Sequence, residues 1–305
     1  MSAARRPAAR RPFASRDANG YFPRGESMLR RVHDERAVGL LYGQRALCIG
    51  ALKPLNYVGT IEHSRSKLTP FRRLASTAKA FETVFFGSRA EADRVLARVA
   101  RMHEHVAGLM PEDAGITPAG TPYSASDPAL MLWTVAVIAD SARCFFELLV
   151  RPLSHREREA LWRDYLRFGE LFGMPLDAAP ASYPEFRRYW HEQLAGEELF
   201  LTDQARHTGY ITAFQVPMPR LHQPAKRLHD LILLGSLPPR VRELYGLSYT
   251  PAQRLAFASA TRALRMARPA VPRALAWGSN VDSYDRAAAI ERARIHRGEP
   301  TPQVV

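Results

Sequence analysis

The sequence predicts an all-α protein: one globular domain of many helices that follows a basic tail. Apolar residues recur at helical spacing along most of the 305 residues, and helix-capping signals precede several of these stretches. Strand signals are almost absent, because there is no run of alternating β-branched residues and no Asn-Gly hairpin turn. Neither a repeat nor a linker-like segment divides the chain after residue 26, so we expect a single domain over 27–280.

The positive charge is concentrated at the start of the chain. The formal net charge is +13, and residues 1–25 contain six arginines and one aspartate. This Arg/Pro/Ala-rich segment lacks apolar periodicity, so we expect residues 1–26 to be a disordered tail. Its Arg-Arg pairs precede no apolar stretch of the kind that export signals contain, which predicts a cytoplasmic protein. Because the charge lies in a tail, no specific nucleic-acid partner is expected, although a helical nucleic-acid-binding protein remains an alternative.

The composition is typical of a soluble globular protein, with 46% hydrophobic and 24% charged residues. The longest apolar run, 128–139, is shorter than the ~20 residues that span a bilayer, so no transmembrane segment is predicted. Cys48 and Cys144 lie far apart in apolar helical stretches and are interpreted as buried thiols. Their spacing provides no zinc, iron–sulfur or c-type haem motif.

The first elements of the domain form a helical stretch over 27–50 and a short segment over 57–64. The second half of the helical stretch is apolar nearly all round, which predicts burial on several sides. The short segment places Glu62 and His63 beside apolar residues. It is equally interpretable as a helix end with ordinary caps.

Two consecutive helices follow and contain the main candidate residues. The first runs from a Thr69 cap to Gly87, and the second opens with a capping box at Ser88 and closes at Gly108. On the second helix His103 occupies a position of the apolar stripe, whereas His105 falls on the polar face. On the first, Arg73 and Thr77 are four residues apart at the edge of the apolar stripe and are predicted to face inward.

These residues allow two interpretations. An imidazole lined by aliphatic residues near an arginine suits a haem, whose iron binds a neutral histidine and whose propionates bind arginine. Alternatively, His103 is a satisfied core histidine and Arg73 a surface residue or part of a structural ion pair.

The rest of the chain predicts a long loop and then further helices. The loop over 109–127 is rich in proline and glycine and is a candidate lid or binding loop. Asp127 caps a long apolar helix over 130–150, in which Asp140 is expected to bond to Arg143 or to a neighbouring helix. Capping signals predict more helices up to about residue 276, and residues 281–305 are expected to form a loose polar tail.

In their order, these landmarks resemble the oxygenase family named for the mycophenolic-acid pathway oxygenase MpaB and the rubber oxygenase called latex clearing protein. The resemblance spans roughly 32–276. The segments that carry it are Tyr42-Gly43, Glu62-His63-Ser64, Arg73-Leu74-Ala75-Ser76-Thr77, Val84-Phe85-Phe86-Gly87, His103 with Val106 and Gly108, Pro122-Tyr123-Ser124-Ala125, Asp127-Pro128, Trp133, Asp140-Ser141, Leu237-Pro238-Pro239 and Tyr245-Gly246-Leu247.

The resemblance implies a globin-like helical core that holds a haem b. The iron ligand of the family falls on His103 and its Arg-x-x-x-Thr pair on Arg73 and Thr77. Glu62 is the nearest candidate for the catalytic base of the rubber oxygenases. Many relatives have a histidine two residues after the tryptophan that follows Asp-Pro, whereas this chain has a valine there, Val135.

The predicted function is therefore a haem b-dependent oxygenase that activates O2 on an apolar, isoprenoid or lipid-like substrate, with electrons from a donor. Phe81 and Trp133 are the aromatic residues expected to contact the cofactor, and the residues available to line the apolar substrate are Phe81, Phe85, Trp133, Phe145 and Phe146. The missing histidine at Val135 leaves open a non-catalytic haem-binding or sensing protein of the same fold.

Overall fold

The computed structural model describes residues 20–63, 69–177 and 179–299. These residues form α-helices and a short antiparallel hairpin of β1 (Ala107–Leu109) and β2 (Pro122–Ser124), which confirms the all-α class. The globin-like arrangement remains a prediction. The helices are α1 (Met28–Asp34), α2 (Arg36–Gly39), α3 (Tyr42–Gly50), α4 (Pro54–Glu62), α5 (Pro70–Phe86), α6 (Arg89–His103), α7 (Pro128–Leu149), α8 (His155–Leu171), α9 (Tyr183–Ala195), α10 (Asp203–Phe214), α11 (Gln223–Ser236), α12 (Pro239–Tyr245), α13 (Pro251–Ala267), α14 (Arg273–Ala276) and α15 (Val281–His296).

Local capping signals set several helix ends as predicted. Ser88 and Ser154 each form a capping box with the glutamate three residues later, and Asp127 accepts two backbone N–H bonds at the start of α7. The predicted stretch over 27–50 is three short helices, because the backbone is extended at Glu35. The second predicted helix is also shorter than expected: α6 ends at His103, since residues 107–109 pair with β2.

Helix α7 lies at the centre of the fold and packs against α2, α3, α8 and α13. Its residues Trp133, Phe145 and Phe146 are almost completely buried. By length and composition α7 could cross a bilayer, but 72% of its most apolar window is buried within the fold. The core helix of a soluble protein has the same properties, so α7 is weak evidence for a membrane span.

A single buried carboxylate in α7 is surrounded by three arginines. Asp140 forms ion pairs with Arg45 at 2.9 Å and with Arg143 and Arg187 at 2.7 Å each. Burial alone would raise the pKa of Asp140, but these guanidinium groups hold it well below its ordinary value. The expectation that Asp140 bonds to Arg143 and to a neighbouring helix is confirmed.

Both ends of the described chain correct the predicted tails. The disordered tail was predicted to cover residues 1–26, but Phe22 is only 1% exposed and packs edge-on against Phe85. Residues 1–19 lie outside the described residues. The segment 281–305 was expected to be loose, but α15 packs along α5 and buries Tyr284 and Ala288 against it. Two of the four buried residues of α15 are alanines and one is a glutamate, so the face gives a weak apolar signal in the sequence. Residues 300–305 lie outside the description.

Helix α15 also caps the start of α5. The Glu291 carboxylate accepts hydrogen bonds from the backbone N–H groups of Phe71 at 3.5 Å and Arg72 at 3.3 Å. The predicted cap, Thr69, makes no capping hydrogen bond with its side chain. A carboxylate from a distant part of the chain therefore satisfies the N–H groups that a local cap would have bound.

Candidate active site

Helices α5 and α6 are consecutive, and their ends away from the connection, here called the open end, carry two predicted site residues. The helices are joined by only two residues and pack against each other. Arg73 lies 13 residues before the end of α5, and His103 lies 14 residues after the start of α6. At 1.5 Å per residue, both are about 20 Å from the connection. Arg73 donates to the carbonyl of Thr60 in α4, and Val106, three residues after His103, lies against Gly59 of the same helix. Arg73 and the end of α6 therefore both lie beside α4.

His103 is the last residue of α6, and its side chain is half-buried. Burial lowers the pKa of its imidazole below the ordinary value of 6.5. The neutral form, which can bind a metal, is therefore favoured. Within the described part of the chain, no side chain forms a hydrogen bond with this imidazole. His105 is exposed, in agreement with its predicted position on the polar face.

The guanidinium of Arg73 is half-buried, and its recorded hydrogen bond is to a backbone carbonyl. Its Nη1 donates to the carbonyl of Thr60 in α4 at 3.4 Å. Among the described residues, no acidic side chain forms an ion pair with it. Burial lowers the pKa of Arg73, an effect that the nearby Tyr57 opposes. Because a desolvated cation without an anion is unfavourable, Arg73 is a strong candidate for binding an anionic ligand.

Two buried hydroxyl groups near Arg73 were not identified from the sequence. Tyr57 in α4 is 8% exposed and Thr208 in α10 is 5% exposed. Burial raises the pKa of Tyr57, while a hydrogen-bonding interaction with the Thr208 side chain and the charge of Arg73 oppose the increase. The two hydroxyls are therefore neighbours, but neither forms a hydrogen bond of standard geometry with the other or with any other described residue. Tyr57 lies in the segment that the sequence highlighted, but Thr208, far away along the chain, carries no local signal.

Thr77 and Glu62 lie at the surface. Thr77 is one turn from Arg73 in α5, but its side chain is exposed and does not face inward as predicted. Glu62 ends α4 and is also exposed. Its charge adds to burial in raising the pKa of Tyr123, which places Glu62 near β2. The roles of Thr77 and Glu62 in catalysis remain predictions.

Phe81 and Trp133 pack in aromatic clusters of the core. Phe81 lies about 12 Å from Arg73 along α5 and packs edge-on against Phe168 in α8, with ring centroids 5.3 Å apart. Trp133 is fully buried and stacks on Trp190, with centroids 5.8 Å apart. These contacts give both rings a structural role. Their predicted part in binding a cofactor remains a prediction.

The β-hairpin packs directly on α4 and holds the end of α6 against it. A Cβ atom at Gly59 would lie only 3.1 Å from Cγ1 of Val106 and 3.4 Å from the ring of Tyr123. The absence of a side chain at Gly59 therefore permits this close approach. The Tyr123 hydroxyl also lies 3.3 Å from Nε2 of His63. Together these contacts fix the position of the chain immediately after His103.

An open cavity of about 850 Å³ lies beside the loop between the two strands. The loop is part of the predicted lid or binding loop and forms one wall of the cavity. Neither Arg73 nor His103 lines it, so it is separate from the open end of the helical pair. The lining residues include Glu112, Asp113, Phe200, Thr202, Asp203 and His207.

The donors at the open end of α5 and α6 fit a haem group. Haem iron needs few protein ligands because the porphyrin nitrogens supply the others, and its propionates need hydrogen-bond donors or cations. His103 would bind the iron, and Arg73, which has no acidic partner in the described part of the chain, would bind a propionate. Among the residues that the structure describes, no group of three His, Cys, Asp or Glu side chains is arranged to hold a metal ion.

Comparison with known proteins identifies one family. The family model described as "ER-bound oxygenase mpaB/B'/Rubber oxygenase, catalytic domain" matches residues 30–266, which is most of the chain. The matched range includes α5, α6 and the β-hairpin. No curated protein and no solved structure matches the chain.

Proposed function

Because the chain belongs to the family of mpaB and rubber oxygenase catalytic domains, we propose that it is a haem b-dependent oxygenase acting on an apolar substrate. Family membership itself supports oxygenase activity, with O2 and a small molecule as substrates. The haem, the isoprenoid or lipid-like nature of the substrate, an electron donor and a cytoplasmic location belong to the proposal.

A single observation carries this proposal: beside α4 lie a half-buried arginine with no acidic partner and the end of a helix whose half-buried histidine has no side-chain hydrogen bond, as far as the described residues show. Arg73 and His103 are also the residues on which the family motif falls. An ordinary core histidine has a hydrogen-bond partner, and an ordinary buried arginine has an acidic one. The absence of both partners within the described residues supports a ligand that provides them.

Each residue has a distinct role in the proposed mechanism. When bound, the haem supplies the iron that activates O2. The neutral imidazole of His103 binds this iron, and the guanidinium of Arg73 orients the group by binding a propionate. Glu62, at the exposed end of α4, is the proposed proton acceptor. Thr77 is proposed to help Arg73 position a propionate or polar groups on the distal side, and the aromatic rings of Phe81 and Trp133 to provide apolar surface.

The alternative is a protein of the same fold that binds haem without catalysing a reaction. The observation that favours it is Val135, which stands where many relatives have a histidine. Val135 is 5% exposed and packs close to Gly169 in α8. Its side chain cannot transfer a proton. Oxygenated product from an isoprenoid or fatty substrate, with O2 and a reductant present, would exclude this alternative.

The proposal is tested by absorption spectra of the purified protein, oxidised and reduced, with His103→Ala and His105→Ala as a matched pair. We expect a Soret band and a b-type pyridine haemochrome in the parent. His103→Ala should lose the band and regain it when imidazole is added, because free imidazole can occupy the vacated ligand position. His105→Ala should retain the spectrum, since His105 is exposed. A parent that stays colourless after haem is supplied would contradict the proposal.

A further inference from the structure

Close to Arg73, two neighbouring hydroxyl groups are buried in the described core without a hydrogen bond of standard geometry. These are Oη of Tyr57 and Oγ1 of Thr208, on residues that are more than nine-tenths buried. Leaving a buried hydroxyl without a partner is unfavourable, and most such groups in folded proteins have one. Even if the two hydroxyls bonded to each other, one of their two O–H hydrogens would still lack an acceptor, so the pair has room for a hydrogen-bond acceptor from a ligand.

The three groups converge from three different helices. Tyr57 and Thr60 are three residues apart in α4 and therefore share a face of that helix. Arg73 of α5 donates to the carbonyl of Thr60, so its guanidinium lies beside this face. Thr208 belongs to α10, which packs against α5, and it lies close enough to Tyr57 to affect its pKa. The Arg73 charge likewise acts on Tyr57.

We propose that Arg73, Tyr57 and Thr208 form one binding site for a carboxylate. A carboxylate accepts up to four hydrogen bonds through its two oxygens, so it can accept one from each hydroxyl and others from the guanidinium. It also neutralises the Arg73 charge, for which no acidic partner exists among the described residues. One ligand thus satisfies all three groups.

Two sources of the carboxylate are compatible with this chemistry: a haem propionate, or the head group of a fatty-acid substrate. The first source rests on the proposed function and extends it by assigning Tyr57 and Thr208 to the cofactor. The second requires no haem. The two can be separated because each ligand has an uncharged ester of nearly the same shape.

The test compares haem with haem dimethyl ester, whose propionates are blocked. Dissociation constants are measured for the full chain, for Tyr57→Phe and Thr208→Val, and for the controls Tyr210→Phe and Thr212→Val. Tyr210 is exposed, and Thr212 already donates to the carbonyl of Thr208 within its own helix. We expect the parent to prefer haem to its ester, and each site variant to lose about tenfold in haem affinity with ester affinity unchanged. The controls should match the parent.

The stability of the ligand-free protein provides a second measurement. Removing a hydroxyl that has a structural hydrogen bond lowers the unfolding midpoint, whereas removing an unpartnered one does not. We therefore expect the urea midpoints of ligand-free Tyr57→Phe and Thr208→Val to equal or exceed that of the parent. Lower midpoints in both variants, together with an unchanged preference for haem over its ester, would overturn the proposal.

Failure of the proposed function gives a different result. If neither haem nor its ester binds, the same variants are tested with palmitate and methyl palmitate. A preference for the acid that Tyr57→Phe abolishes would support the carboxylate site with a fatty acid as the ligand. Equal binding of acid and ester, or binding of neither, would overturn it.

Discussion

Replacing Asp140 with asparagine should strongly destabilise the fold, because the substitution leaves three guanidinium groups without their shared anion. Arg45 is the critical partner, since its side chain is only 4% exposed and cannot turn to water. The side chains of Arg143 and Arg187 are 17% and 27% exposed, so solvent screens them partly. Asparagine keeps the shape of the side chain and removes its charge.

The expected loss follows from these contacts. Removing one partner of a buried ion pair costs about 3–5 kcal/mol, because the remaining charge stays desolvated. With a urea m-value of about 3 kcal/mol per molar, the midpoint of Asp140→Asn should fall by about 1–2 M. Arg187→Gln should cost only about 1 kcal/mol, because Asp140 keeps two cations and Arg187 is partly solvated.

Urea unfolding at pH 7, followed by tryptophan fluorescence and circular dichroism, measures both variants. Glu243→Gln is the control, since Glu243 is exposed and lies 3.7 Å from an exposed Arg240. That change should alter the free energy of unfolding by less than about 0.5 kcal/mol. If Asp140→Asn unfolds within about 1 kcal/mol of the parent, the buried charges are better solvated than the structure indicates and the reasoning fails.

Three further predictions concern other parts of the fold. Burial lowers the pKa of His33 from 6.5 to about 3. Below pH 6.5 the unfolded chain therefore binds a proton at this histidine that the folded chain does not. The free energy of unfolding should consequently fall by about 2 kcal/mol between pH 6.5 and 5. In urea unfolding, His33→Gln should reduce this dependence of the free energy on pH. Gly59→Val should separate the hairpin from α4, and we expect faster amide hydrogen exchange over residues 106–124. Unchanged exchange would contradict the close packing of the hairpin on α4. Glu291→Gln should cost about 1 kcal/mol in thermal unfolding by weakening the cap of α5; an unchanged midpoint would show that this cap is not stabilising.

Those parts of the fold that depend on local chemistry could be predicted from the sequence. The starts of α6 and α8 follow from capping boxes within four residues, at Ser88 and Ser154. The end of α6 could not be predicted, because Gly108 belongs to a strand that is defined by its pairing with Tyr123 in β2. The cap of α5 was also beyond local reasoning, since Glu291 comes from the other end of the chain.

The residues of the candidate site also divide into those that local sequence patterns identify and those that depend on long-range packing. His103 could be identified because helical periodicity places it on an apolar face, and Arg73 because it lies beside such a face. Thr77 is one turn further along but exposed, since the angular position of a residue on a helix does not reveal what covers it. Tyr57 and Thr208 could not be connected from the sequence, because their proximity depends on how α10 packs.

Helix α15 has a practical consequence for defining the catalytic unit. The family match ends at residue 266, whereas α15 begins at Val281 and supplies both the cap of α5 and part of the apolar surface behind Arg73. A chain shortened to the matched range would leave Phe71 and Leu74 open to solvent on the helix that carries Arg73. We expect such a fragment to be poorly soluble and to misplace Arg73. We therefore expect the smallest segment able to fold to extend beyond the segment recognisable by homology.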